Sequence, residues 1–239
     1  MSNEMLIKPV AYIRTDFKEK FGIPRQSGRV PATEGRIVFD PEYRSSESLR
    51  EIESFSHLWL IFGFSENSYK KWTPTVRPPR LGGNKKVGVF ASRSPYRPNC
   101  LGLSSVRLLR VDNTETEGNV LIVSGADLLD NTPIYDIKPY LAYTDCHEDA
   151  ISGYAEDFKS YRLSVEIPDS VKNSIPHDVL SVISECLADD PRPSYQDEPD
   201  RVYGMKFADY DVRFTVSGGT VHVISYTDLK NRDIKSVKR

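Results

Sequence analysis

The chain has 239 residues, with 32 Lys+Arg against 34 Asp+Glu, 38% hydrophobic and 10% aromatic residues. Its mean hydropathy is −0.46. This length suits one large domain or two small ones, and the apolar content is too high for a disordered chain and too low for a membrane protein.

Further classes fall away on local features. The longest apolar run, residues 58–64, is strand-length, well short of the roughly 18–20 residues that a spanning helix needs. Met1-Ser2-Asn3-Glu4 opens without an apolar core or cleavage site, so no signal peptide is expected and a cytoplasmic protein is the default. Cys100, Cys146 and Cys186 are widely spaced and form no C-x-x-C, which predicts neither a disulfide framework nor a zinc site.

In chain order, Ile7, Val10, Tyr12 and Ile13 start a β-rich stretch after Pro9, and residues 36–39 follow Gly35 as a short strand. Residues 46–52 read as a short helix capped by Ser45 or Ser46, with Leu49, Ile52 and Phe55 on one side. Residues 57–64, HLWLIFGF, are expected to be a buried central strand. Residues 87–91, 101–111 and 120–126 are further strand candidates between Gly, Pro and Asn-Thr turn signals. These strands do not alternate with helices, so an antiparallel sheet or closed barrel is favoured over a doubly wound fold.

Past residue 145 the pattern changes. Residues 145–160 are acidic with Gly and Ser, and read as a linker. Residues 176–188 predict a helix with Val179, Leu180, Ile183, Cys186 and Leu187 on one face and Ser174 as N-cap. After a polar loop at 189–201, Val212, Phe214 and Val216 lead through Gly218-Gly219 to Val221 and Val223, a hairpin signal. The expected architecture is α+β, mainly β: an N-terminal antiparallel barrel over residues 1–150 and a smaller α+β domain over 155–239.

The net charge of −2 hides a polarised arrangement. From residue 70 to residue 110 there are ten basic residues and no acidic one, whereas from residue 111 onward there are 13 basic and 24 acidic residues. The basic strip is where a nucleic-acid backbone would be held.

Common catalytic signatures are missing from the chain. There is no G-x-G-x-x-G, Walker A loop, G-x-S-x-G or H-E-x-x-H, and Leu81-Gly82-Gly83-Asn84-Lys85 has the wrong spacing for a phosphate loop. His57, His147, His177 and His222 are scattered, and His57 at the head of an apolar run reads as a packed, hydrogen-bonded histidine. The unusual cluster is Ser92-Arg93-Ser94-Pro95-Tyr96-Arg97-Pro98-Asn99-Cys100-Leu101-Gly102-Leu103-Ser104. Its prolines make an ordered loop that holds two arginine forks suited to carboxylate, phosphate or purine edges, beside a tyrosine able to stack. The alternative is a rigid turn whose arginines sit in solvent or pair with acidic loops; a binding site is favoured. Phe21-Gly22-Ile23-Pro24-Arg25-Gln26 is a second such loop. Asp127 and Asp130, in Asp127-Leu128-Leu129-Asp130-Asn131-Thr132-Pro133, either cap a turn or accept a ligand hydroxyl or ammonium.

Pro24-Arg25-Gln26, Phe55-Ser56-His57-Leu58-Trp59, Arg77-Pro78-Pro79-Arg80-Leu81-Gly82-Gly83, the 92–102 motif, residues 127–133 and Asp136-Ile137-Lys138-Pro139-Tyr140 resemble, in that order, the TsaA-like family. Asp190-Pro191-Arg192-Pro193-Ser194-Tyr195-Gln196 resembles its second domain. More narrowly, the chain is similar to the TrmO-type tRNA methyltransferases acting on threonylcarbamoyl-adenosine beside the anticodon. The resemblance implies a non-Rossmann barrel that binds S-adenosylmethionine, and a homodimer; from the scattered histidines and the short apolar runs, no metal and no membrane partner is expected. It places the cofactor against Pro24, Arg25, Gln26, Ser65, Glu66, Arg93, Leu103, Asp127, Leu128, Leu129 and Asp130, where Ser65-Glu66 departs from a His-containing pair in some members. Lys85, Lys86, Arg97 and Arg192 are the expected contacts to the tRNA anticodon stem-loop. Tyr195, or the substrate's own threonyl carboxylate, is the candidate base. Two other readings stay open at this point: a non-catalytic RNA-binding protein, and a methyltransferase of the same family with another acceptor.

Overall fold

The computed structural model describes residues 4–67, 71–193, 196 and 198–231. Two sheets organise it. The first is a closed antiparallel barrel of six strands: β1 (Ala11–Thr15), β2 (Glu34–Phe39), β3 (His57–Gly63), β6 (Leu101–Thr114), β7 (Gly118–Ser124) and β8 (Thr132–Pro139), in the order β1-β2-β7-β6-β3-β8. A two-stranded ribbon, β4 (Thr75–Val76) and β5 (Val87–Gly88), projects between β3 and β6 in the sequence.

Alternation sets which side chains fill the barrel. Along β3, Leu58, Leu60 and Phe62 point in, and across the register Leu60↔Ser104 and Leu58↔Val106 their neighbours on β6 do the same. Ile13 opposes Ile37 across β1 and β2, and Leu121, Val123 and Ile134 close the core. Residues 120–123 are buried on both faces, which is why β7 reads as an unbroken apolar run rather than an alternating one. Gly102 permits a close approach: a Cβ there would stand 2.2 Å from the Phe62 ring.

The second sheet, in the order β10-β11-β12-β9, comprises β9 (Ser164–Glu166), β10 (Tyr203–Phe207), β11 (Tyr210–Ser217) and β12 (Thr220–Asp228). Helix α3 (His177–Ala188) covers one face, after two single turns, α1 (Ala142–Asp145) and α2 (Asp169–Lys172). Val182, Ile183, Cys186 and Leu187 of α3 pack with Met205, Phe214 and Val221, and Phe17 and Val30 from the start of the chain enter this same core. Burial pushes the Cys186 thiol up, so it stays a neutral apolar filler.

Several local expectations need correction. Residues 46–52 form no α-helix. They make a 3-10 turn, Ser46–Leu49, then an extended Arg50 and a left-handed Glu51 (φ 66°) before a second turn, Ile52–Ser54. The Ser45 hydroxyl does accept the Glu47 N–H. Residues 87–91 split into β5 and a 3-10 turn, Val89–Ala91. Ser174 does not cap α3: its hydroxyl donates to the Ser170 carbonyl, and Pro176 occupies the N-cap with no side-chain bond. Residues 145–160 are more than a linker, because Gly153–Phe158 forms a 3-10 helix. β8, β9 and β10 lacked a strand signal: β8 begins at turn residues, β9 is three residues long, and β9 pairs in parallel with β12 from far along the chain. The hairpin of β11 and β12 is present, turning at Gly218 and Gly219 with φ of 56° and 78°, as its glycines require.

Candidate active site

The 92–102 loop builds itself before it meets any ligand. The Ser92 hydroxyl donates to the Val89 carbonyl at 2.8 Å and accepts the Ser94 N–H at 3.3 Å; Ser94 Oγ accepts the Tyr96 N–H at 3.3 Å. Arg97 braces the loop: its Nη1 donates to the carbonyls of Ser92 (2.6 Å) and Val89 (3.2 Å), and its guanidinium lies 5.7 Å from the Phe90 ring centre. Cys100 closes it in the left-handed region, φ 47°.

That loop leaves Arg93 directed at the second loop. Arg93 Nη1 donates to Gln26 Oε1 at 2.5 Å. Beside them, Asp127, three residues past the end of β7, accepts the Ser104 hydroxyl at 2.7 Å. Burial raises the Asp127 pKa against the opposing pull of the Ser104 bond and of Arg93. Gln26, Arg93 and Asp127 thus set an amide, a guanidinium and a half-buried carboxylate together.

Arg25 points elsewhere. Its Nη2 donates to three consecutive carbonyls, Asp190 (3.2 Å), Pro191 (3.2 Å) and Arg192 (2.6 Å), and its Nε is buried without a partner. Burial, then the nearby Arg80 charge, lowers its pKa. Arg192 is paired with Asp190 at 2.9 Å, and so is fixed within the same junction.

Between the two loops and the 3-10 helix Gly153–Phe158 opens a cleft of about 1150 Å³. Its walls carry Arg25, Arg29, Arg77, Arg80, Lys86, Arg93 and Lys159 with Phe90, Tyr96, Tyr154 and Phe158, and no described lining residue is acidic. Such a surface attracts anions and offers rings for stacking. Lys86 faces it, whereas Lys85 is exposed beside it.

The remaining expected cofactor residues are not gathered here. Pro24 is buried under the loop. Leu128 fills the barrel core, the Leu129 carbonyl accepts the Thr132 hydroxyl at 2.7 Å, and Asp130 binds the Thr15 N–H (3.0 Å) and Lys18 (2.8 Å). Leu103, 52% exposed, lies on the outer face of β6 opposite Ile61, and Ser65 and Glu66 form an exposed turn just past the same end of β3. Tyr195 lies outside the described residues. Arg29, Asp189, Tyr154 and Phe158 carry no site signal of their own in the sequence, and Arg80 stands there only as part of the 77–83 motif. The surrounding signals were the arginine-proline pairing at 77–80 and the acidic pair Asp189-Asp190 directly after a helix.

The cluster suits the cofactor that the resemblance implied. S-adenosylmethionine carries a carboxylate, an ammonium, a ribose diol and an aromatic base, and Arg93, Asp127, Gln26 and the cleft rings offer a complementary group to each. Among the described residues there is no cluster of metal-ligating side chains, and no helix is long and apolar enough to cross a membrane.

Comparison with known proteins agrees with this geometry. The tRNA-methyltransferase O N-terminal domain model matches residues 12–146, and the TrmO C-terminal domain model matches residues 161–229. A tRNA (adenine(37)-N6)-methyltransferase of Escherichia coli is 37% identical over 225 residues, 90% of this chain and 95% of the relative. One of Eikenella corrodens is 49% identical over 168 residues, 70% of this chain and 93% of the relative. The crystal structure of TrmO from Pseudomonas aeruginosa superposes with a TM-score of 0.73 at 34% identity, covering 94% of this chain and 99% of that one. With both family domains matched in order along it, this chain belongs to the TrmO family.

Proposed function

We propose that the protein methylates the exocyclic nitrogen of threonylcarbamoyl-adenosine next to the anticodon. Membership of the family makes the chain an S-adenosylmethionine-dependent tRNA (adenine-N6) methyltransferase; the threonylcarbamoyl group is the proposed part. The observation that carries it is the cleft itself: seven cationic side chains, four aromatic ones and no carboxylate among its described lining residues. A base bearing its own carboxylate gains there what an unmodified adenine does not.

S-adenosylmethionine, when bound, supplies an activated methyl on a sulfonium. The chain holds and orients. Arg93, Gln26 and Asp127 are the proposed cofactor contacts, with the Pro24-Arg25-Gln26 loop beneath them. Ser65, Glu66 and Leu103 would belong to that site only where a second copy brings them to it, which is the proposed homodimer. Alignment of the acceptor nitrogen with the methyl supplies much of the rate, and a base within hydrogen-bond reach takes its proton. The substrate's threonyl carboxylate or Tyr195 is the proposed base. The sequence points to Lys85, Lys86, Arg97 and Arg192 for the stem-loop. With Arg97 and Arg192 engaged internally and Lys159 paired with Glu156, Lys86 and Arg77 are the freer cations facing the cleft. The smaller domain, residues 155–239, is proposed to assist tRNA binding, and the cytoplasm is the proposed location.

Labelled methyl transfer to matched tRNA pools decides the reading. Label is expected in threonylcarbamoylated tRNA and not in the unmodified pool. Equal labelling of both would move the acceptor elsewhere, and no label together with no cofactor binding by calorimetry would sink the proposal.

A further inference from the structure

Asp189 follows α3 with its side chain only 3% exposed, yet it belongs to neither apolar core. Its bonds run to the other part of the molecule. Its Oδ1 takes Arg29 Nε and lies 3.5 Å from Arg80 Nη2; its Oδ2 accepts the Arg25 N–H at 3.3 Å; its carbonyl accepts Arg80 Nη2 at 2.8 Å.

The two arginines pass that order on. Arg29 Nη1 and Nη2 donate to the carbonyls of Lys159 (3.1 Å) and Tyr161 (2.9 Å). The Arg80 guanidinium lies 4.9 Å from the Tyr161 ring centre and 5.7 Å from that of Phe158. These residues end and follow the 3-10 helix Gly153–Phe158, the far wall of the cleft, which contributes no buried residue of its own. A wall without a core of its own is held by the Arg29 fork, the Arg80 stacks and the Tyr161 hydroxyl, which donates to Asp190 Oδ2 at 3.0 Å; both arginines turn on Asp189, Arg29 on its carboxylate and Arg80 on its carbonyl with the carboxylate 3.5 Å away. Without it, Arg29 and Arg80 would face each other as like charges in a desolvated junction.

We propose that Asp189 is a positioning residue for methyl transfer: through Arg29 and Arg80 it sets the width of the cleft between the 153–161 wall and the Pro24-Arg25-Gln26 loop before tRNA arrives. The kinetic part of this inference rests on the methyltransferase reading above; the structural part does not. An unset wall must be ordered when substrate binds, which costs affinity, while donor and acceptor still align once bound.

Asp189→Asn keeps the volume and removes the charge. In the full-length protein, amides of residues 153–161 are expected to exchange with deuterium about tenfold faster, with those of β6 and β7 changed less than about twofold. KM for tRNA is expected to rise about tenfold with kcat held within about threefold. Arg80→Lys, which keeps the charge but loses fork and stack, should move both readouts in the same direction. Unchanged exchange, or faster exchange with an unchanged KM, overturns the proposal. Loss of cooperative melting in both variants also overturns it, because Asp189 would then be needed for folding rather than for positioning. A wild-type protein that transfers no methyl group overturns the function instead, and the exchange measurement still decides the wall.

Discussion

Asp127, a proposed cofactor contact, is held in the fold at a cost in stability. Its carboxylate sits in a half-buried junction with the Ser104 hydroxyl, and burial raises its pKa despite that bond and the Arg93 charge. A raised folded-state value means that this group stabilises the fold below the ordinary carboxylate range, and that the contribution is lost as pH rises through the folded value. At neutral pH the ionised form is therefore held at a cost. Asp127→Asn is expected to raise the melting temperature at pH 7 by a few degrees, of the order that about 1 kcal/mol produces in a chain of this size. Its affinity for S-adenosylmethionine, measured by calorimetry, should fall at least about tenfold. A variant neither more stable nor weaker in binding would remove Asp127 from the site. Asp145 behaves in the opposite sense: the Leu141 N–H and then Trp59 Nε1 hold its carboxyl below the usual range. Its contribution is present above the unfolded value near 3.9 and is lost as pH falls through the folded value. Melting temperature should drop below about pH 4, with a shallower drop in Asp145→Asn. Asp127 was legible as a site candidate because it ends a strand run. Its coupling to Ser104, 23 residues away, was not, since nothing local in either segment encodes the pairing.

Elements with a regular apolar period are legible in the sequence, and irregular ones are not. β3 and α3 carry strong apolar periodicity, and both formed where expected, β3 at His57–Gly63 and α3 at His177–Ala188. Val182 nonetheless lies in the core while Val179 and Leu180 are only partly buried, because the sheet and Phe17 decide which side of the helix is covered. Ile183, 1% exposed on α3, tests that core: Ile183→Ala is expected to cost about 2–5 kcal/mol in chemical denaturation. In the barrel, Gly102→Ala drives a methyl group into the Phe62 ring. It should destabilise by about 1–3 kcal/mol, read as a lower melting temperature, although the site's charged residues are untouched. The turn at 46–54 failed as a helix because an extended Arg50 and a left-handed Glu51 interrupt it.

Across the whole molecule, charge and architecture meet at one junction. The net −2 resolves into a basic strip at residues 70–110 and an acidic remainder, and the fold turns part of that strip, Arg77, Arg80, Lys86 and Arg93, into one side of the cleft. If Arg77 and Lys86 hold tRNA phosphates, the logarithm of the binding constant should fall linearly with the logarithm of salt concentration. Lys86→Ala should then flatten the slope by about one ion, in filter binding across a salt series. By itself the sequence determined the class of each half: strands without alternating helices require an antiparallel sheet, glycine pairs place hairpins, and a helix with one apolar face needs a sheet to cover. Those are local rules of sterics and burial, and they act over a few residues. Only the tertiary structure decided that β9 joins β12, that Phe17 and Val30 serve the second core, and that Arg25, Arg29 and Arg80 converge on a loop more than 100 residues away. An arginine looks the same in sequence whether it meets solvent, a phosphate or a buried carboxylate; what it meets is set by which distant backbone the closed barrel brings to its side chain.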